Sequence, residues 1–91
     1  HDSNKYIAKQ LPSGEYHISA RMEIEQVNDL LDLDLPESDD YLTVGGWILN
    51  EYQSFPKLNE VIKCGNWQVK VIKKTASKIE EVILSSPETS K

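Results

Sequence analysis

The sequence has 91 residues, with 15 Asp and Glu against 10 Lys and Arg and a formal charge of -5. This length suits one domain with a modest core, and 38% hydrophobic with 27% charged residues excludes a disordered chain. The acidic balance and the single arginine, Arg21, count against nucleic-acid binding, and the single cysteine, Cys64, excludes an internal disulfide framework.

One cysteine points to a reducing compartment. No apolar run is long enough to span a bilayer, and no signal peptide is evident. A start at His1 rather than Met is what an excised fragment or a processed tag remnant would show. Residues 1–5 and 86–91 are expected to be loose, with one domain over residues 6–85.

Tyr6 to Leu11 reads as a short strand, and Pro12-Ser13-Gly14 as a turn, since Pro fixes φ and Gly tolerates the left-handed region. Tyr16, Ile18 and Ala20 alternate with His17 and Ser19 as a second strand, so the pair predicts a hairpin. From Glu23 to Leu33 the period changes. Ile24, Val27, Leu30 and Leu31 recur at helical spacing, with Glu25, Gln26, Asn28 and Asp29 facing away. The helix should end by Leu35, because Pro36 restricts the residue before it.

An acidic connection leads to Thr43, the expected N-cap of a second helix. Gly46 stands where a capping box would place Glu. Val44, Trp47, Ile48 and Tyr52 form the helical stripe, Leu49 widens it, and the helix ends near Gln53. The remainder is strand-like. Glu60 to Cys64, Trp67 to Ile72 and Ile79 to Leu84 are separated by Gly65-Asn66, a tight hairpin turn, and by Thr75 to Ser77. A bulge near Glu80 and Glu81 would bring Ile79, Val82 and Leu84 onto one face. The fold class is therefore α+β, with two helices on one face of a small, mainly antiparallel sheet of about five strands.

Chemistry-bearing candidates are few. Gly45 and Gly46 open a helix, where an anion such as a phosphate can sit; close packing of the helix entry explains them equally well in kind and better in frequency. No nucleotide-binding glycine fingerprint or P-loop is present. Asp32, Asp34, Glu37, Asp39 and Asp40 fail the spacing of a calcium loop, so a solvated acidic connection is expected and no metal site is assigned. His17 should lie on the outer strand face, without zinc partners, and Cys64 should be a buried small residue rather than a nucleophile. Trp47 belongs to the core, and Trp67 is expected half exposed, at an interface. Arg21 is the first candidate for contact with an anionic ligand or a neighbouring domain, paired with Glu23 or Glu25. No catalytic constellation is discernible.

Several segments together resemble a known family. They are Pro12 to Met22 with its Ser-Gly turn and Arg21, the helix Glu25-Gln26-Val27-Asn28-Asp29-Leu30-Leu31, and the stretch from Leu35-Pro36-Glu37 through Thr43-Val44-Gly45-Gly46-Trp47-Ile48. Pro56 to Glu60, Trp67 to Val71 and Lys78 to Val82 continue the match, with Ala20 and Asn59 where the family usually has Gly. The chain thus resembles the transporter-associated domain of the magnesium/cobalt efflux and haemolysin C-like group. That resemblance implies a non-catalytic cytoplasmic regulatory domain of a membrane-associated protein. Its implied partners are preceding nucleotide-binding repeats of the cystathionine-synthase (CBS) type and a membrane domain, with a homo-oligomer as an alternative association. It also implies a likeness to a small subdomain of flavin-binding oxidases, and by that analogy flavin adenine dinucleotide as a cofactor. Arg21, Thr43, Gly45 and Gly46 are the residues that would then contact it.

Overall fold

A computed structural model describes residues 6–86. Among them are five strands, β1 (Ala8–Gln10), β2 (Tyr16–Ser19), β3 (Val61–Cys64), β4 (Trp67–Lys74) and β5 (Ile79–Ser85), and two helices, α1 (Ile24–Leu31) and α2 (Val44–Tyr52). The strands form one antiparallel sheet in the order β1-β2-β5-β4-β3. Both helices pack on one face of it, as the alternation of apolar residues requires. The terminal segments expected to be loose lie outside the described residues, apart from Ser86.

The core lies between sheet and helices. Ile18, Val69, Val71, Val82 and Leu84 point inward from the strands and meet Val27, Val44, Trp47 and Ile48 from the helices, all fully buried. The expected bulge is present and is shared by two strands. Val71 pairs with Val82, Lys73 with Glu81 and Lys74 with Ile79, so Ile72 is extra in β4 and Glu80 in β5. The two insertions restore register, and Ile79, Val82 and Leu84 are buried together.

Five local features differ from the sequence expectation. Helix α1 stops at Leu31, before Pro36 can act. Asp32 takes the left-handed region at φ 56°, its N–H bonds to the Asn28 carbonyl, and Leu33 N–H uses the same acceptor at 3.1 Å. Asn28, expected to face solvent, holds the returning chain with both ends of its amide, at 2.8 Å from Leu35 N–H and 3.1 Å from the Leu35 carbonyl. That clamp buries Leu35 and leaves Leu30, expected in the buried stripe, 65% exposed. Tyr52 likewise leaves the core, and its hydroxyl donates to Glu60. In the β3–β4 turn only Gly65 takes positive φ, at 63°, and Asn66 does not. Glycine at the first central position is the requirement of one of the two favoured hairpin turns.

The two helix entries are stitched together. Ile24 N–H donates to the Leu42 carbonyl at 2.9 Å and Val44 N–H to the Met22 carbonyl at 3.0 Å. Gly45 N–H reaches the Ala20 carbonyl at 2.8 Å. This short lattice fixes where α2 begins relative to the end of β2, and so shapes the groove beside Ala20 and Gly45.

Candidate functional site

Ala20 follows β2 as a hub of backbone bonds. Its N–H donates to the Glu80 carbonyl at 2.8 Å, and its own carbonyl accepts from Gly45. A side chain at position 45 would have to fit against it, since a Cβ there would lie 3.2 Å from the Ala20 oxygen. The absence of one lets α2 approach the strand end closely. Thr43 is the N-cap of α2, as expected, and its Oγ1 accepts from Gly46 N–H at 3.1 Å. Gly46 packs against Tyr41, whose Cβ a new methyl would meet at 3.1 Å.

Arg21 comes next along the chain and stands beside this entry, half exposed. Its nearest carboxylate is Glu80, with Nη1 to Oε2 at 3.7 Å, rather than the expected Glu23 or Glu25. The neighbouring strand brings Glu80 in, whereas α1 turns its first-turn carboxylates elsewhere. At 3.7 Å and partly in water the pair is a loose ion pair that leaves the guanidinium free to meet another anion.

These four residues share one groove. Arg21, Thr43, Gly45 and Gly46 line a cavity of about 430 Å³ together with Tyr6, Leu49, Lys78 and Ile79. That size falls in the range of small-molecule sites. Lys78 and Tyr6 are among the lining residues that the sequence did not point to. Lys78 belongs to the β4–β5 turn and Tyr6 precedes β1, and only the sheet order brings either near Arg21. The cations of the groove sit on its walls. The first-turn amides of α2 are not available to an anion, because Val44, Gly45 and Gly46 donate to Met22, Ala20 and Thr43 respectively. An anion in the groove would therefore be met by Arg21 and Lys78, and the glycines serve the close packing of the helix entry.

The other singled-out residues lie apart from the groove. His17 is on the outer sheet face, as expected, with Nε2 at 2.9 Å from Glu81 Oε1. Cys64 is buried, and burial pushes its thiol up to about 11, with Glu51 adding to the shift. Trp47 is buried with no acceptor for its Nε1 proton, and Trp67 is half-buried with its ring edge-on to Tyr16 at 6.4 Å. Burial, with Glu51 and Asp40 nearby, raises the Tyr41 phenol. Among the described residues no three His, Cys, Asp or Glu side chains converge as metal ligands. No helix there is long and apolar enough to cross a membrane.

Fold and groove together define a small two-layer α+β module with one groove-lining cation pair, Arg21 and Lys78. The sequence profile of the transporter associated domain, CorC_HlyC, matches residues 9–88. The chain belongs to this family, a family of non-catalytic domains. Solved structures share the fold. A transporter associated domain from Nitrosomonas europaea is 23% identical, with a TM-score of 0.76 over 91% of this chain and 99% of that one. A region from Neisseria meningitidis, described as associated with a putative Mg2+ and Co2+ transporter, is 22% identical, with a TM-score of 0.74 over 87% and 96%. A hemolysin domain from Enterococcus faecalis is 21% identical, with a TM-score of 0.72 over 88% and 96%. No curated protein matches the chain.

Proposed function

We propose that this chain is a cytoplasmic regulatory domain of a membrane-associated magnesium/cobalt efflux or haemolysin-like protein. It acts through contacts with the domains that precede it. Family membership over residues 9–88 carries this reading. The descriptions of similar structures support it: one is a transporter-associated region, one a hemolysin domain, and one, from Porphyromonas gingivalis, part of a CBS domain protein. The partners would be nucleotide-binding repeats and a membrane domain of the same protein. Deleting residues 6–86 from the full-length protein should alter cation efflux or assembly. Unchanged flux with unchanged assembly defeats the reading.

The groove favours a second reading, a binding module for a flavin or adenine nucleotide, because it gathers Arg21 and Lys78 around a cavity of about 430 Å³. In this reading the two cations hold the phosphates and Tyr6 offers a ring for stacking. Titration of the domain with flavin adenine dinucleotide, followed by flavin absorbance and Trp fluorescence, tests it. Saturable binding lost in Arg21→Ala supports the reading, and no change at high micromolar ligand rejects it. Self-association through an exposed strand is the remaining alternative, and sedimentation across concentrations reports on it.

A further inference from the structure

Charge is sorted between the two layers of this domain. From Met22 to Pro56, the stretch that makes both helices and their connection, the chain carries nine carboxylates and no Lys or Arg. Five of the ten cations lie in strands: Lys9, Lys63, Lys70, Lys73 and Lys74. Lys9 pairs across from His17, Lys63 from Gln68, and Lys70 stands between Val61 and Ile83 in neighbouring strands. Strand alternation, with Ile18, Val69 and Leu84 buried under the helices, places these lysines on the opposite, open face. Lys73 joins them, paired with Glu81 at 3.9 Å.

The carboxylates on this face are already engaged. Glu81 accepts from His17 as well as facing Lys73, and Glu15 at the rim accepts from the Ser85 hydroxyl at 2.7 Å. Lys9, Lys63 and Lys70 have no ion pair among the described residues. Between them lie short aliphatic side chains. Val61 is 57% exposed, and with Ile72 and Ile83 it lines a hollow of about 250 Å³ beside Lys70.

We propose that this open sheet face docks on anionic phospholipid headgroups. The proposal rests on the membrane-associated reading above and names the surface that would be met. Specific protein interfaces are anchored by Trp, Tyr and Arg and are poor in Lys. The open face has the reverse composition, with several separate lysines and no aromatic or guanidinium anchor. Lysines of this kind suit a diffuse field of negative headgroups, which asks for charge and not for fixed geometry. The net charge of the chain does not oppose this. The acidic helix layer lies behind the sheet, so a surface on the open face meets the lysines first, and the exposed carboxylates act on it only from farther away, through salt that weakens them. The same separation would orient the domain, with sheet toward the lipid and helices away.

Sedimentation of the 91-residue chain with phosphatidylserine-containing vesicles, against neutral phosphatidylcholine vesicles, tests the proposal. Binding to the anionic vesicles alone is expected, falling steeply with added salt. Lys63→Gln with Lys70→Gln should weaken it about 25-fold, on the order of fivefold per lysine. Lys74→Gln makes the same charge change on the helix side, where Lys74 lies over the Phe55 ring at 4.8 Å, and should leave binding close to wild type. No anionic binding at low salt overturns the proposal, as does equal loss in all the lysine variants. A domain that governs efflux in the full-length protein but ignores anionic vesicles overturns this inference and leaves the regulatory reading standing. Vesicle binding with unchanged efflux on deletion does the opposite.

Discussion

Gly45 and Ala20 meet backbone to backbone. The Gly45 N–H donates to the Ala20 carbonyl at 2.8 Å, and a Cβ on Gly45 would lie 3.2 Å from that oxygen and 3.5 Å from the Ala20 methyl. The Gly-Gly pair in the helix entry is thus a packing device that seats α2 against the end of β2. Gly45→Ala sets a helix-propensity gain of up to about 1 kcal/mol against an overpacking cost of about 1–3 kcal/mol. The neighbour is backbone tied into the sheet through Glu80, so the cost should win. A net loss of about 1 kcal/mol is expected in urea unfolding, and an unchanged or higher midpoint would show that the strand end yields.

Thr43 secures the same junction from the helix side. Thr43→Ala removes the acceptor for Gly46 N–H and should cost about 1 kcal/mol. Thr43→Ser keeps the hydroxyl and should recover most of the loss. Chemical denaturation of the two variants separates capping from methyl packing, since a Ser variant as unstable as Ala would assign the effect to the methyl.

Core and surface positions on the helices should respond very differently. Ile48 is fully buried, whereas Leu30 is 65% exposed. Ile48→Ala should cost about 2–5 kcal/mol. Leu30→Ala should stay within about 0.5 kcal/mol of wild type. Thermal melts of both variants check this, and a large loss at Leu30 would mean that the stripe read from its spacing is buried after all.

Cys64 gives the domain a dependence on alkaline pH. Its thiol is raised from about 9 to about 11 by burial first and Glu51 second. Below pH 9 the thiol holds its proton in the folded and the unfolded chain, and its contribution is fully present. Between about 9 and about 11 the unfolded chain releases the proton and the folded chain keeps it, so stability falls as pH rises. The slope has a ceiling of about 1.4 kcal/mol per pH unit in that window. The raised phenols of Tyr41 and Tyr52 push in the same direction at higher pH. Urea midpoints from pH 8 to 10.5 should decline in wild type and flatten in Cys64→Ala. A Cys64→Ala profile as steep as wild type would assign the decline to the tyrosines.

The element order, the Thr43 cap, the outward His17 and the bulge at Glu80 in β5 were legible because each depends on a local period or a neighbouring residue, whereas the matching insertion at Ile72 in β4 was not. Asn59 was legible in the same way. It takes φ 67°, a conformation that Asn tolerates where Gly is usual, and its N–H closes onto the Val71 carbonyl at 2.6 Å. What spacing did not show depends on partners far along the chain. Asn28 lies outside the apolar stripe, and its clamp on Leu35 ends the helix early. Arg21 finds Glu80 across a strand pair instead of a carboxylate in the adjacent helix. Lys78 enters the groove only through the sheet order. The charge sorting between layers was present in the sequence as a long stretch without a basic residue, but it acquired meaning only once that stretch was seen to form one side of the molecule.

Strand β5 pairs with β2 on one side and β4 on the other, so it alone joins the two hairpins β1-β2 and β3-β4. It is also the last of the five described strands in chain order, and so the last of them to leave the ribosome. Until Ser85 has emerged, the nascent chain holds two separate ribbons, each too small to persist in water by itself. A chain that stops before Ile79 therefore lacks the one strand that holds both ribbons in a single sheet.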